Sequence, residues 1–324
     1  MTTEPHLVTS EFRALSAALG QNRLRVQGPG GNTSIKSDDV MWIKASGTEL
    51  AHAETQDIFV PVDRKSAIAE AREEAGDGSC KTTVLDPAIT LRPSIETTFH
   101  AALEFKVVLH THSISTLTHA ISPQGLEAAK TKLADLPFAI VPYAKPGLPL
   151  TKEILARANG GVRVFILQNH GLICCGNSVG EAGNLIEEVE TRLSMPVRVS
   201  VYRPPTTPAP EGFAWHDAGW IAKDTHAQDL VLNGTYYPDH VVFLGPALPV
   251  ATHAGNPPAI LHKDQGIALK TDATASQKAM LQCISDLLMR LPHDWSATPI
   301  GDAAEAALLD WDAEKYRQAL AARG

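Results

Sequence analysis

Residues 107–112 read Val-Val-Leu-His-Thr-His, an apolar run that ends in two histidines two positions apart. Side chains alternate along an extended strand, so His110 and His112 share one face, about 6.5–7 Å apart along the strand. Imidazoles placed this way can converge on one divalent ion at about 2.0–2.1 Å. They also stand at the C-terminal end of a strand, where α/β folds often gather function. His170 has the same setting. It follows the apolar run Val164–Leu167 and sits in Asn169-His170-Gly171, where the glycine marks a tight turn or a close backbone approach. Three neutral imidazoles with further positions open suit a catalytic site better than a closed structural one. Two distant stretches of backbone must then meet at a single cation. The other ten of the 13 histidines, His100, His119 and His240 among them, are read as structural.

The 324 residues suggest one large or two modest domains. Hydrophobic residues make up 44% and charged residues 20%, ordinary for a globular chain with a core of normal size. The formal net charge of −8 and the lack of a Lys/Arg run argue against nucleic acid and anionic membranes as partners. The N-terminus has no basic segment followed by an apolar one, and no apolar run approaches the roughly 20 residues of a spanning helix. Cys80, Cys174, Cys175 and Cys283 form no CxxC pair and read as reduced thiols in a cytoplasmic protein.

A first helix is expected from Thr9 or Ser10, with Phe12, Leu15 and Leu19 on one face. Gly28-Pro29-Gly30-Gly31 breaks the chain, and strands are expected around Thr33–Ile35 and Val40–Ile43. Residues 72–92 read as loop. Pro93-Ser94 is expected to open a helix capped by Ser94, with Ile95, Phe99, Ala102 and Leu103 as its apolar stripe. Strand 106–112, a short helix from Ser115, strand 138–143, helix 151–158 and strand 163–168 follow. Ser178 and Glu181 form a capping-box pattern before a strong helix. The proline-rich stretch 203–210 sustains neither helix nor sheet. It divides the chain into a metal-binding domain (1–202), a linker (203–210) and a C-terminal extension (211–324). The extension is expected to hold a strand at His240–Leu244, a helix at 276–291 and a last helix from Asp310 or Asp312.

Two further features accompany the histidines. Glu96 falls in the first turn of the helix before the His-x-His strand, and a short loop near 104–106 would fold that helix back beside it. Its carboxylate is then either a proton carrier or fourth ligand, or simply an acid stabilising the helix dipole. The segment Gly28-Pro-Gly-Gly-Asn32-Thr33-Ser34 is either a plain turn or a cradle for a phosphate or carboxylate. Ser46-Gly47-Thr48 can contribute to the same pocket, with Lys36 and Lys44 as nearby cations.

Gly30-Gly-Asn-Thr-Ser34, Ala45-Ser-Gly-Thr48, Pro93-Ser-Ile-Glu96, His110-Thr-His112 and Asn169-His-Gly171 stand in an order that resembles the class II aldolase/adducin family. That family includes L-fuculose-phosphate and L-rhamnulose-phosphate aldolases, and the resemblance covers about residues 8–200. It implies a three-layer α/β/α domain around a mostly antiparallel sheet, assembled as a homotetramer with active sites near subunit interfaces. By position, His110, His112 and His170 match the zinc ligands, with manganese or cobalt as alternatives. Glu96 matches the catalytic glutamate, which can also ligate the resting metal. Gly31, Asn32, Ser46, Gly47 and Ser94 match the pocket for the substrate phosphate. The implied function is a metal-dependent lyase that cleaves or forms a C–C bond in a ketose phosphate or related sugar derivative through a metal-stabilised enediolate.

The chain departs from the sugar-phosphate aldolases at two points. Ile95 stands where the family usually has a second serine. Residues 113–137 contain no tyrosine to protonate a leaving aldehyde, and Tyr143 belongs to the next strand. Decarboxylation of a 3-oxo sugar acid on the same site is therefore the alternative reaction. A non-catalytic adducin-like interaction module is the alternative of another class. Tyr237–Gly245 and Trp311–Arg317 look similar to the aldolase-side half of longer bifunctional rhamnulose-phosphate aldolase/dehydrogenase proteins, although no Rossmann fingerprint is present. Asp239 and His240 are read as structural, with substrate contact as the lesser alternative.

Overall fold

The computed structural model describes residues 3–159, 161–198, 202–251 and 256–322. Helix α1 (Ser10–Gln21) leads through the glycine loop to strands β1 (Asn32–Lys36), β2 (Val40–Lys44) and β3 (Phe59–Asp63). Helices α2 (Arg64–Ala71) and α3 (Thr97–Ala102) precede β4 (Val107–Thr111), α4 (Ile114–Ala120), α5 (Pro123–Lys132) and β5 (Phe138–Val141). Next come α6 (Leu148–Leu155), β6 (Val164–Leu167), β7 (Gly171–Gly176) and α7 (Val179–Leu193). Past the proline-rich stretch lie β8 (Phe213–His216), α8 (Thr225–Leu232), α9 (Pro238–Leu244), β9 (Ala259–His262) and β10 (Gly266–Lys270). The chain closes with α10 (Ala275–Leu288), α11 (Asp302–Leu309) and α12 (Asp312–Ala321).

Strands β1–β7 form one sheet in the order β3-β2-β1-β4-β7-β6-β5, antiparallel except for the β5–β6 pair. Alternation along β4 and β6 sends their side chains to two separate cores. Val107, Leu109, Val164 and Ile166 pack with Phe12 of α1 and Ile186 and Val189 of α7. Val108, Phe165 and Leu167 pack with Phe99 of α3 and Ile154 of α6. Helices thus cover both faces, which explains why the central strands are apolar throughout rather than alternating. The layered α/β/α arrangement expected from the sequence is the one observed.

A further core joins α4 to the C-terminal elements: Ile114, Leu117 and Ile121 pack with Trp220, Tyr237, Val241, Leu281 and Ile284. Residues past 210 therefore rest on the helix that follows the His-x-His strand. They carry a small antiparallel sheet in the order β8-β10-β9. Residues 202–210 contain neither helix nor strand.

Four expectations need correction. Strand β5 ends at Val141, so Tyr143 lies just beyond the strand expected to hold it. The apolar run His240–Leu244 is helix, not strand. Pro238 supplies the first helical position, and Gly245, at φ 87°, ends the helix. Ser94 does not cap a helix that opens beside it. Its hydroxyl accepts the N–H of Glu96 and its carbonyl the N–H of Thr97, so a tight turn comes first and α3 begins at Thr97. Glu96 is consequently the residue at the helix entrance, not one in its first turn. The capping box at Ser178 is also shifted: Ser178 accepts from the N–H of Glu181, but the Glu181 carboxylate takes the N–H of Asn177. The box is complete instead at Thr274 and Gln277, where α10 starts.

Candidate metal centre

His110 sits near the end of β4, directly opposite Asn32 of β1 and Ile173 of β7. His112 lies just beyond the strand. His170 comes from the turn between β6 and β7, where Asn169 takes φ 54° and Gly171 abuts the Thr111 carbonyl too closely for any side chain. Antiparallel β4–β7 pairing is what brings the two histidine segments together. The three ring centroids stand 5.0–5.3 Å apart. One ring nitrogen from each lies within 4.8 Å of the others, and all three residues are buried.

Nδ1 of His110 is 3.0 Å from the Leu172 carbonyl, so it carries the proton and leaves the Nε2 lone pair free. That Nε2 atom is buried with no hydrogen-bond partner, as is Oε1 of Glu96. Buried polar atoms without partners cost about 1–3 kcal/mol each. Glu96 Oε2 is 3.4 Å from His110 Nε2, and Oε1 is 3.5 Å from His170 Nε2. Three imidazoles and a carboxylate, mutually close and with His110 Nε2 and Glu96 Oε1 unpartnered, are a donor set that fits a divalent ion.

Burial sets the electrostatics. It drives the ring of His170 down to about 3 and also lowers that of His110, which keeps both neutral and able to act as ligands. For Glu96, burial pushes upward, while the His110 and His170 rings beside it and the Asn32 amide bring its carboxyl below the usual value. Burial also lowers the Lys44 ammonium to about 7, although it donates to the carbonyls of Pro29 and Thr48.

All five residues expected to line a substrate pocket are brought together. Gly31, Asn32, Ser46, Gly47 and Ser94 border one cleft with Glu96, His112 and His170. The Asn32 amide donates to Ser94 Oγ at 3.1 Å and to Glu96 Oε2 at 2.8 Å. His100 stands behind it, bonded to Asn32 Oδ1 and, at 2.7 Å, to Ser34 Oγ, so its structural reading matches its position. Lys44 lines the cleft, but Lys36 does not: its ammonium turns to the His100 carbonyl at the far end of β1. Ile95 borders the cleft where the family resemblance implies a second serine.

The C-terminal segment contributes two residues, of which the sequence singles out only Asp239, with substrate contact as its lesser alternative. Asp239 of α9 and Arg317 of α12 both line the cleft. Asp239 Oδ2 is 3.3 Å from His112 Nδ1, and the Arg317 guanidinium spans both Asp239 oxygens at 2.8 and 3.1 Å. The structural reading of Asp239 rests on its place in an apolar run, with no pattern of spacing that ties it to the histidines. An aspartate in the first turn of a helix is commonplace.

Comparisons with known proteins agree with this geometry. Residues 10–197 match the family described as "Class II Aldolase and Adducin N-terminal domain". The chain is 35% identical over 113 residues to the 3-oxo-tetronate 4-phosphate decarboxylase of Escherichia coli strain K12, covering 31% of this chain and 52% of that protein. It is 26% identical over 182 residues to the L-fuculose phosphate aldolase of Methanocaldococcus jannaschii, covering 54% and 87% respectively. The N-terminal class II aldolase domain of a Thermoplasma acidophilum protein superimposes with a TM-score of 0.51 at 26% identity, covering 60% of this chain and 94% of that one. The chain spans between 26% and 52% of the length of several curated relatives. With the family match extending over more than half its residues and the histidine geometry in place, the chain belongs to the class II aldolase and adducin family.

Proposed function

We infer that the protein is a divalent-metal-dependent carbon–carbon lyase acting on a small ketose phosphate or related sugar derivative, in the manner of an aldolase. The observation that carries this reading is the buried cluster of His110, His112 and His170, with the unpartnered Oε1 of Glu96 facing it. A divalent ion held there supplies a Lewis acid for negative charge developing on substrate oxygens. Zinc suits three imidazoles best, with manganese and cobalt as alternatives.

The chain's own residues do the rest. Asn32 fixes one oxygen of the Glu96 carboxylate, leaving the other to take and return a proton at the reacting carbon. Ser46, Gly47, Ser94, Gly31 and Asn32 hold the distal, phosphate-bearing end of the substrate. Binding energy spent there orients the reacting carbon against Glu96.

Decarboxylation of a 3-oxo sugar acid is the second reading. Among the described residues no tyrosine borders the cleft to protonate a leaving aldehyde, and the E. coli relative bears that type of activity in its name. The intact histidine and glutamate set weighs against a purely adducin-like binding module. Among the described residues, no helix is long and apolar enough to cross a membrane. A cytoplasmic homotetramer, divided into domain 1–202, linker 203–210 and extension 211–324, completes the proposal. The family match, ending at residue 197, supports that division.

The test is a screen of the metal-loaded protein against ketose phosphates and oxo sugar acids, scoring aldehyde and carbon dioxide separately. Aldehyde release supports the aldolase, carbon dioxide alone supports the decarboxylase, and neither product from any member counts against a lyase.

A further inference from the structure

Resting on the reading of the three histidines as a metal centre, we propose that Asp239 is a positioning residue for that centre, and that the C-terminal segment is thereby part of the active site. Histidines that bind metals usually have their second ring nitrogen held by a carboxylate or carbonyl, which fixes the ring and strengthens its donation. His110 has the Leu172 carbonyl in that place. His112 has Asp239, with Oδ2 3.3 Å from Nδ1, which leaves Nε2 as the ring nitrogen available to a metal.

Three independent features support the assignment. Asp239 is only 2% exposed, and its orientation is set from the far side by Arg317, whose guanidinium spans both oxygens while also holding Glu314 at 2.8 Å. The glycine loop makes room for the contact. A Cβ on Gly30 would lie 2.7 Å from His112 Nδ1 and 3.0 Å from Asp239 Oδ2, so only a glycine lets the two approach there. Gly30 does not need positive φ, so this clearance, not backbone freedom, is its distinguishing requirement. The same segment also braces the His170 turn, where the Asn169 amide donates to the carbonyls of Tyr236 and Thr298 at 3.1 and 2.8 Å. Asp239 lies beyond the matched residues 10–197, so the family pattern does not assign it.

The experiment measures metal binding by the full-length protein, with Co²⁺ as probe. Affinity is read by competition with a chromogenic chelator, and ligand geometry by the visible absorption of the bound cobalt. Asp239→Asn preserves shape and leaves Arg317 paired with Glu314. It should weaken Co²⁺ binding about 10–100-fold and shift the cobalt bands. The double variant Asp239→Asn with Arg317→Gln removes the Asp239–Arg317 ion pair as a whole and leaves Glu314, whose carboxyl burial raises, free to take up a proton. It should show a loss similar to that of the single variant. Arg317→Lys keeps a cation beside Asp239 and should retain most of the wild-type affinity. Wild-type affinity and spectrum in a folded Asp239→Asn or double variant overturn the assignment. Failure of the wild-type protein itself to bind Co²⁺ overturns the histidine centre, and this assignment with it.

Discussion

The Asn32 amide donates to Glu96 Oε2 at 2.8 Å, and that oxygen lies 3.4 Å from Nε2 of His110, the residue paired with Asn32 across the sheet. The register of β1 against β4 thus aims the carboxylate at the histidines. Glu96→Gln keeps an oxygen for Asn32 but cannot carry a proton as a carboxylate does. The variant should hold its metal while kcat falls about 10²–10⁴-fold. Turnover equal to wild type on a true substrate removes Glu96 from the chemistry.

His110 lies deepest of the three rings and is wholly buried. His110→Ala deletes a ligand and leaves the Leu172 carbonyl without its partner. Metal per chain, measured by elemental analysis after dialysis, should fall from about one to a small fraction. Because metal binds the folded state preferentially, the Tm gained on adding metal should largely disappear as well. Full occupancy in this variant would refute the site.

Stability should fall in mild acid. Burial holds His119 and His240 down at about 4, against 6.5 in the open chain. Below pH 6.5 the unfolded chain therefore binds protons that the folded state refuses until about pH 4. Stability is complete above 6.5 and is lost progressively between 6.5 and 4, by on the order of 1 kcal/mol per pH unit for each such histidine. Glu190 and Glu314, whose carboxyls burial raises, work partly in the opposite direction. The urea midpoint of the metal-free protein should drop between pH 7 and pH 5, and His240→Leu should flatten that decline. A midpoint unchanged across this range contradicts the account.

The histidines and Glu96 were legible because each sits at the end of a local pattern, a strand or a helix entrance, that the sequence shows directly. Their convergence followed once β4 and the β6–β7 turn were placed in one sheet. Asp239 and Arg317 were not legible, since their roles arise from contacts between segments far apart in the chain. Helix α9 shows a different failure. Every residue of Pro238–Leu244 is buried, which erases the polar face that betrays a helix, and Val-Val-Phe-Leu then reads as strand. The better clue was Pro238, followed by an acidic residue, ahead of the apolar run. Ser122-Pro123 is an equally plain start signal for α5, and the Ser122 hydroxyl accepts the N–H of Gly125.

Ile95 lines the cleft beside Ser94 and Ser46, at the position where sugar-phosphate aldolases resembling this chain place a second serine. An isoleucine there offers no hydroxyl to a phosphate and presents apolar surface to the substrate's distal end. Ile95→Ser should therefore improve binding of phosphorylated substrates selectively. One added hydrogen bond to a charged group contributes about 1.5–3 kcal/mol at most, so KM for a ketose phosphate should fall about tenfold or more. The contact is made equally in ground and transition states, so kcat should stay nearly constant. KM for an unphosphorylated analogue should rise or stay level. A uniform change for both substrates would mean that residue 95 does not face the phosphate end, and the assignment of that end to Ser46 and Ser94 would fall with it.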